Sequence, residues 1–446
     1  MDTTAVISAI LTLLAGIGIF LVACQMMSSN LEAASSEKLK HLFANASKSK
    51  LLGVGIGTLG TAAIQSSGAT TVMTIGFVNA GIISLAQAAT IIYGANIGTT
   101  VTAQIVALGM FGEGGISTSV IFSAFAGLGA FMALFSKRSN GKTMGGILAG
   151  FGMLFVGLSL MSGSMKDFAN LEGVKIFLAQ IGNPILLVLL GAIFTAIIQS
   201  SSVMTSIALA MVVSGLISLD QGIYLTMGSN IGSCVVAIIA GITSSKNAKR
   251  TALIHLIFNC AGVLIFLVVN WILGLSTGGR VNFGTIFDAA FPGVPQTQLA
   301  MFHTFFNVVT VICILPLTNL LVNLVIKMVP DSKDVADPDA PRLHYVDDNM
   351  LKTPPVAVQQ TKKEIVRMSE LAMENFNRAL RIVTSLTFAE KDKFEKTEDE
   401  INFVNRALVD FVVKLSEQSS ISERDHVYLA TTYRTVRDLE RIGDYA

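Results

Sequence analysis

Long stretches of the sequence contain almost no charged residues. Residues 51–109 hold no Asp, Glu, Lys or Arg, and residues 183–242 hold one, Asp220. Charged residues make up 14% of the chain, against about 25% in typical soluble domains. Apolar runs of about 20 residues are long enough to cross a bilayer as helices. The shortage of charge excludes an ordinary soluble protein and predicts an integral membrane protein in a lipid bilayer.

Other signals of function are also missing. The sequence has no nucleophile–base pair, no metal-ligand cluster in its apolar part and no nucleotide-binding glycine loop, so we expect neither an enzyme nor a cofactor. A net charge of +1 gives no indication of nucleic acid binding. The four cysteines lie in apolar segments, where we expect small buried side chains and no disulfides. The first apolar segment, about 5–27, has no basic flank, so we interpret it as a retained span.

The chain changes character after about residue 327. Residues 328–360 hold five of the nine prolines and are predicted to be a linker. From about residue 361 the pattern is amphipathic and helical, and residues 362–446 hold 14 Lys and Arg and 16 Asp and Glu. We therefore predict a transmembrane domain (1–327) and a helical-bundle domain in water (361–446). The chain ends at Ala446 inside a helical pattern, so we expect that bundle to be incomplete.

An internal repeat with a constant offset of 134 residues dominates the apolar part. T-A-A-I-Q-S-S at 61–67 matches T-A-I-I-Q-S-S at 195–201, and G-A-N-I-G at 94–98 matches G-S-N-I-G at 228–232. The same offset aligns Gly16 with Gly150. We predict two copies, about 5–135 and 144–273, followed by an extra span at 299–327.

Basic residues decide the orientation of the two copies, because loops rich in Lys and Arg face the cytoplasm. Loops 28–50, 136–143 and 243–250 hold ten of them, whereas the remaining loops hold three. That partition requires segments 51–79 and 183–214 to enter and leave by the same face. We predict two re-entrant helical hairpins, about seven full spans, an outside N-terminus, a cytosolic C-terminal domain and inverted repeats. The second hairpin would measure about 48 Å as one helix, longer than a core of about 30 Å.

The repeated motif offers neutral oxygen atoms and no charge. Broken helices in inverted repeats mark the binding sites of secondary transporters. The start of a half-helix presents N–H groups that suit an anion, while hydroxyl, amide and carbonyl oxygens suit a hard monovalent cation. This composition favours an anion neutralised by cations that bind with it. The alternative is that Ser and Thr only pack helices together, which the repetition of the motif disfavours. His255 and His303 share an H-x-x-F-N pattern, for which hydrogen bonding between helices and a role in transport both stay open.

The paired Q-S-S segments, each followed by G-[AS]-N-I-G, resemble the type II sodium–phosphate cotransporter family over about residues 5–327. The resemblance implies symport of inorganic phosphate with sodium ions, by alternating access, from a site between the hairpins. Gly68 departs from the family's Q-S-S-S pattern, and residues 117–135 lack the acidic residue of electrogenic animal members, which favours electroneutral transport. The residues expected to bind phosphate or Na⁺ are Gln65, Ser66, Ser67, Thr70, Asn96, Thr99, Gln199, Ser200, Ser201, Ser202, Thr205, Asn230 and Ser233.

The tail ends in R-D-L-E-R-I-G-D at 437–444, which is similar to the PhoU-like helical domains of bacterial members. That resemblance implies regulation by phosphate status, a bacterial inner membrane, and metal binding by Glu440 and Asp444. The alternative for these two carboxylates is a solvated helix face. Two other functions stay open: a sodium symporter for another oxyanion, and a membrane-embedded phosphate sensor that signals through the tail. A homodimer is a further partner that the sequence leaves open.

Overall fold

The computed structural model describes residues 3–44, 49–79, 83–111, 118–242, 245–330, 341–346, 348–352, 354–418, 421 and 423–446. Within these ranges all regular structure is helical. The predicted outer loop 110–116 and the first half of the linker fall mostly outside them. The all-α fold class predicted from the sequence is confirmed.

Seven apolar helices are long enough to cross a membrane, counted over the described ranges. This number confirms the predicted number of spans. The helices that form these spans are α1 (Thr3–Ala44), α4 (Leu85–Gly109), α5 (Thr118–Phe135), α6 (Ser139–Ala169), α10 (Leu219–Ile242), α11 (Lys246–Thr277), α13 (Pro295–Ile314) and α14 (Thr318–Met328). The last span contains both α13 and α14, which a 3₁₀ turn (Leu315–Leu317) joins.

Each of the two predicted hairpin segments consists of two short helices. These helices are α2 (Lys50–Ile64), α3 (Ser67–Asn79), α8 (Pro184–Ile198) and α9 (Ser201–Val213). The longest has 15 residues, which is about 22 Å of helix and too short for a bilayer core of about 30 Å. The breaks fall at the two Gln-Ser pairs. The lengths agree with re-entrant hairpins, although the path of the segments in a membrane stays a prediction.

The two repeats meet through α1 and α6 in a symmetric contact. A Cβ atom placed on Gly16 would lie 2.9 Å from the backbone N of Met161, and one on Gly150 would lie 2.8 Å from the backbone N of Met27. Gly16 and Gly150 are 134 positions apart, and so are Met27 and Met161. Each contact is therefore the copy of the other, as a two-fold axis between the repeats requires. Only glycine permits this close approach of the backbones.

The two hairpins also pack alike within their own repeats. Helix α2 packs on α4, and α8 packs on α10. A Cβ atom on Gly98 would lie 2.7 Å from Cβ of Thr61, and one on Gly232 would lie 2.6 Å from Cβ of Thr195. The glycines of the two N-I-G motifs thus allow the long helix to approach the hairpin.

Several details differ from the sequence prediction. The segment 28–50 is not a loop along most of its length, because α1 continues to Ala44; no Gly or Pro interrupts residues 19–49, so helix propensity carries the helix onward. Two short helices occupy predicted loops, α7 (Glu172–Gln180) and α12 (Phe283–Ala290). Cys260 and Cys313 are exposed rather than buried. They lie on spanning helices, so their exposed surface is suited to lipid.

The C-terminal bundle contains α15 (Pro354–Ser385), α16 (Lys391–Ser416) and α17 (Glu423–Asp444), which pack on one another around an apolar core. Helix α15 begins seven residues before the predicted boundary. Two prolines open it, and proline is favoured in the first turn of a helix. The buried Glu364 carboxylate accepts hydrogen bonds from the backbone N of His344 (2.8 Å) and of Tyr345 (2.6 Å), which ties the linker to the bundle.

Candidate functional site

The tips of the two hairpins share an unusual backbone conformation. Gln65 has φ 54° and Gln199 has φ 61°, both in the left-handed region. This region costs a residue with a side chain about 1–2 kcal/mol, and glycine or asparagine would be the cheaper choice. A glutamine at both tips indicates that the side chain serves a purpose other than making the turn.

Both tips face one cavity of about 400 Å³. This volume falls within the range of about 300–1,000 Å³ found for small-ligand sites. Helices α1 and α10 complete the walls. The lining residues are Leu21, Cys24, Gln25, Ser28, Glu32, Gln65, Ser66, Ser67, Gly68, Ala69, Val72, Ile198, Gln199, Ser200, Ser201, Ser202, Val203, Ser233 and Val236.

The N-terminal ends of two helices, which carry partial positive charge, lie at the cavity. Helices α3 and α9 begin at Ser67 and Ser201, and both residues line the cavity. The hydroxyl of the preceding serine caps each helix: Ser66 Oγ accepts from Ala69 N (3.2 Å), and Ser200 Oγ accepts from Val203 N (3.4 Å). The first N–H groups of a helix lack partners inside the helix and carry part of a positive charge. They suit an anion in the cavity.

The charged side chain that lines the cavity is negative, whereas the helix ends that point to it are positive. No Lys or Arg is among the described lining residues, and Glu32 is the one ionisable carboxyl among them. An anion in this cavity therefore meets no basic side chain that would neutralise it. Two N-termini of about half a charge each oppose one carboxylate. A cation that binds together with the anion would balance the charge.

The two glutamines differ in their hydrogen bonds. The amide of Gln65 is held at both ends: its Oε1 accepts from Thr102 Oγ1 (2.8 Å), and its Nε2 donates to Ala62 O (2.6 Å). The position equivalent to Thr102 in the second repeat is Val236, which has no hydroxyl. The side chain of Gln199 is exposed to the cavity and makes no hydrogen bond to the described part of the chain. The second tip alone offers a free amide.

Val236 also accounts for the departure from the Q-S-S-S pattern at Gly68. A Cβ atom on Gly68 would lie 3.3 Å from Cγ1 of Val236. This is a tight contact, so a serine at position 68 requires the valine to move. The side chain of Val236 on α10 thus lies in tight contact with the place where a side chain at position 68 would begin.

The structure brings eight of the thirteen predicted binding residues to the cavity wall. These are Gln65, Ser66, Ser67, Gln199, Ser200, Ser201, Ser202 and Ser233. The other five are buried and outside the lining. Their side chains bond nearby: Asn96 Nδ2 to Ile92 O, Asn230 Nδ2 to Thr226 O, Thr99 Oγ1 to Ala95 O, Thr70 Oγ1 to Ser66 O, and the Thr205 hydroxyl to that of Ser229. A role in ion binding for these five stays a prediction.

Sequence reasoning missed the wall that α1 provides. Gln25, Ser28 and Glu32 lie on one helix face with Leu21 and Cys24 and line the cavity. Ser28 Oγ also donates to Ile64 O at the first tip (2.8 Å). The signal was the helical spacing of these three polar residues at the end of an apolar run, which places them on one face of a helix. It lay outside the repeated motifs and was therefore overlooked.

The two histidines lie away from the cavity. His255 and His303 are buried, at 3% and 0% exposure. Both ring nitrogens of His303, and Nδ1 of His255, lack a hydrogen-bond partner within the described chain. The asparagine of each motif donates to the histidine carbonyl of its own helix, Asn259 at 3.0 Å and Asn307 at 2.9 Å. Hydrogen bonding between helices, one of the two roles left open for the imidazoles, is thus not made by these three nitrogen atoms within the described chain.

In the tail, Glu440 and Asp444 lie near a third carboxylate, Glu398. Burial, and then the charge of Asp444, raises the pKa of the Glu398 carboxyl above its ordinary value of 4.5. Over the described ranges, no group of three or more His, Cys, Asp or Glu side chains has an arrangement that could hold a metal ion. The metal role of Glu440 and Asp444 stays a prediction.

Comparison with known proteins gives two family matches. The Na⁺/Pi-cotransporter family matches residues 19–163, which contain the first hairpin tip, and residues 157–289, which contain the second. The PhoU domain matches residues 365–446. No solved structure matches the chain. The two matches confirm both resemblances seen in the sequence.

Relatives cover different parts of the chain. "Putative inorganic phosphate export protein YjbB" of Escherichia coli (strain K12) is 25% identical over 98% of this chain and 76% of its own length. The uncharacterized protein YqeW of Bacillus subtilis (strain 168) is 30% identical over 70% of this chain and 95% of its own. Sodium-dependent phosphate transport protein 2B of Homo sapiens is 42% identical over 18% of this chain and 12% of its own.

The family match spans both repeats, both hairpin tips and the cavity between them. Members of this family are transporters and not enzymes, and the seven apolar helices are those of an integral membrane protein. The chain belongs to the Na⁺/Pi-cotransporter family and carries a C-terminal PhoU domain.

Proposed function

We propose that the protein moves inorganic phosphate across the cytoplasmic membrane of a bacterium by symport with sodium ions. Phosphate binds in the cavity between the hairpin tips, where it accepts hydrogen bonds from the first N–H groups of α3 and α9. The free amide of Gln199 and the hydroxyls of Ser201 and Ser202 complete its shell. The cavity with two opposed Q-S-S tips is the observation that carries this proposal.

The absence of a basic side chain among the described lining residues supports coupling to a cation. Burying an anion without a partner is costly, and Glu32 adds a charge of the same sign. Sodium favours neutral oxygen ligands of the kind that the two motifs supply. The buried hydroxyls of Thr195 and Thr226, next to the second tip and in α10, have no hydrogen-bond partner within the described chain. They are candidates for cation ligands together with Thr205 and Asn230.

In a symporter, the direction of net transport depends on the combined gradients of the two solutes, here phosphate and sodium. One relative is named for phosphate export and another for sodium-dependent phosphate transport. The same cavity serves either direction. We place the C-terminal bundle in the cytosol, on the side of the basic loops 136–143 and 243–250.

The sensor function has one specific observation in its favour. The 3₁₀ turn Asp348–Lys352 packs against α3 as well as against α15 and α16. Met350, at 2% exposure, lies beside Gly76 of α3. The tail therefore touches the first hairpin, so its state can influence the cavity. We propose regulation of transport by the tail rather than sensing without transport, because a sensor does not need two opposed tips.

Uptake of labelled phosphate into proteoliposomes tests the function. We expect uptake with an inward sodium gradient and background uptake when potassium or choline replaces sodium. Sulfate or arsenate as competitor distinguishes phosphate transport from transport of another oxyanion. Phosphate uptake that is independent of the cation would contradict the coupling.

A further inference from the structure

We propose that α6 lines the phosphate site in a second, opposite-facing state, with Lys166 in the place that Glu32 holds in this structure. The proposal rests on the transport function proposed above. It identifies the residues that meet the substrate from the other side of the membrane.

The two repeats contribute unequally to the cavity. Both Q-S-S hairpin tips line it, whereas of the symmetric pair α1 and α6 only α1 contributes described lining residues. Five residues of α1 line the cavity, from Leu21 to Glu32, and no described lining residue belongs to α6. The structure therefore shows one of two states that the repeat makes equivalent.

The register between α1 and α6 is fixed close to the cavity. Gly16 contacts Met161 and Gly150 contacts Met27, and these paired contacts obey the 134-residue offset. One of them, at Met27, lies directly before Ser28 in the sequence. The same offset sets Ser162 opposite Ser28 in the sequence, and Lys166 opposite Glu32. Ser162 is partly exposed and Lys166 is exposed.

The two helices contact the hairpins differently. Helix α1 packs on α2, and Ser28 Oγ donates to Ile64 O. Helix α6 instead packs on α9. The symmetric exchange of these contacts would place α6 on α8 and α1 on α3, with Ser162 donating to Ile198 O. Because the repeats share their backbone, the exchanged arrangement uses the same kinds of contact, as alternating access around a fixed site requires. After the exchange, α1 no longer lines the cavity and α6 lines it instead.

The exchange also reverses the side-chain charge in the wall of the cavity. In the structure the wall carries the carboxylate of Glu32, which repels an anion and attracts a cation. In the exchanged state the wall carries the ammonium group of Lys166, which attracts phosphate. A charged wall raises the local concentration of an oppositely charged substrate. We infer that phosphate is captured more readily from the Lys166 side, which the basic loops predict to be outside.

Cysteine labelling tests the second state on the full-length protein. Ser162→Cys and its counterpart Ser28→Cys are made in a background in which Cys24, a lining residue, and the exposed Cys260 and Cys313 are replaced by alanine. Ser164→Cys is the matched control, because Ser164 lies on α6 at 1% exposure. A membrane-impermeant thiol reagent is applied to intact cells and to inverted membrane vesicles. We expect Ser162→Cys and Ser28→Cys to react from opposite faces, each more slowly with sodium and phosphate present, and Ser164→Cys to stay unlabelled.

The charge reversal has a kinetic test of its own. Lys166→Gln should raise the KM for phosphate offered on its own face by about two- to five-fold, as expected for one exposed charge. The KM on the opposite face should not change, and added choline chloride should reduce the effect by screening. Lys142→Gln removes an exposed lysine at the other end of α6 and should leave both KM values unchanged.

Two failures can be told apart. A wild-type protein that moves no phosphate would overturn the proposed function and this inference with it. A wild-type protein that moves phosphate, while Ser162→Cys stays unlabelled or reacts from the same face as Ser28→Cys, would overturn the inference alone.

Discussion

Replacing Gln199 by glycine separates the two roles that a residue at the hairpin tip can have. The backbone at this position is left-handed, at φ 61°. Glycine adopts this conformation without strain, so the substitution keeps the turn and removes only the amide. If Gln199 serves the turn, the variant should behave like the wild type. If it binds substrate, transport should suffer although the fold does not.

The substitution should leave the stability unchanged or raise it, whereas it should weaken transport. Relief of the left-handed strain contributes about 1–2 kcal/mol, and the extra freedom of unfolded glycine offsets about 0.5–1 kcal/mol of it. Gln199→Gly should therefore be as stable as the wild type or up to about 1.5 kcal/mol more stable. Loss of one hydrogen bond to a buried ligand costs about 1–3 kcal/mol, which corresponds to roughly a 5- to 150-fold rise in KM for phosphate, at about 1.4 kcal/mol per tenfold change.

Gln65→Gly is the matched variant at the other tip and should show the reverse order of effects. Its amide bonds to Thr102 Oγ1 and to Ala62 O. Removing it leaves the Thr102 hydroxyl without a partner, at a cost of about 1–3 kcal/mol. We expect a lower melting temperature and a smaller rise in KM than in Gln199→Gly.

Sodium-dependent uptake of labelled phosphate and thermal unfolding of the purified protein, measured on the same preparations, provide the comparison. Gln199→Asn is the control, because asparagine tolerates the left-handed region and keeps an amide one methylene shorter; it should recover part of the affinity. An unchanged KM in Gln199→Gly at normal expression would refute the idea that this amide contacts phosphate.

Three further predictions concern topology and the tail. Single cysteines in loop 136–143 should react only from the cytoplasmic side and those in loop 274–298 only from outside; labelling of both from one side would contradict the inverted topology. Burial and nearby carboxylates raise the pKa of Glu398, so the free energy of unfolding falls as pH rises through that pKa. Glu398→Gln should therefore raise the melting temperature of the tail at pH 7, and its advantage should vanish below the ordinary value of 4.5; an advantage that persists in acid would point to another cause. Glu364 is fully buried and pairs with Arg367 at 2.7 Å. Glu364→Ala should destabilise the bundle by about 3–5 kcal/mol, measured by hydrogen exchange of residues 354–418, and exchange that stays at the wild-type rate would show the pair to be dispensable.

The sequence predicts the number of spans and the positions of the two breaks, because both depend on length and apolar runs. Helix α1 shows the limit of such reasoning. Its continuation to Ala44 depends on helix propensity in a charged segment, which the positive-inside pattern marked as a loop. The cavity face of α1 was missed because it has no repeated motif, since Glu32 and its counterpart Lys166 differ in chemistry.

Residues in the repeated motifs were easier to find than to interpret. The sequence marks Asn96 and Asn230 as clearly as the glutamines, yet their amides donate to carbonyls within their own helices. The adjacent Gly98 and Gly232 explain part of the repetition, because they allow the close approach of the hairpins. A repeated motif thus combines packing positions with candidate binding positions, and only side-chain geometry separates them.

The difference between the two tips follows from what a symmetric transporter requires. Two states of similar free energy need similar backbones, and the repeat provides these through matched glycine contacts at α1 and α6. The proposed binding has another requirement, because one asymmetric cluster of phosphate and cations would have to fit a single arrangement of side chains. Thr102 near one tip and Val236 near the other allow this without disturbing the backbone: the amide of Gln65 is fixed by Thr102, and the amide of Gln199 is the one that we propose to contact substrate. Val236→Thr should therefore tether Gln199 as Thr102 tethers Gln65 and raise the KM for phosphate, whereas Val236→Ala, which adds no hydroxyl, should not.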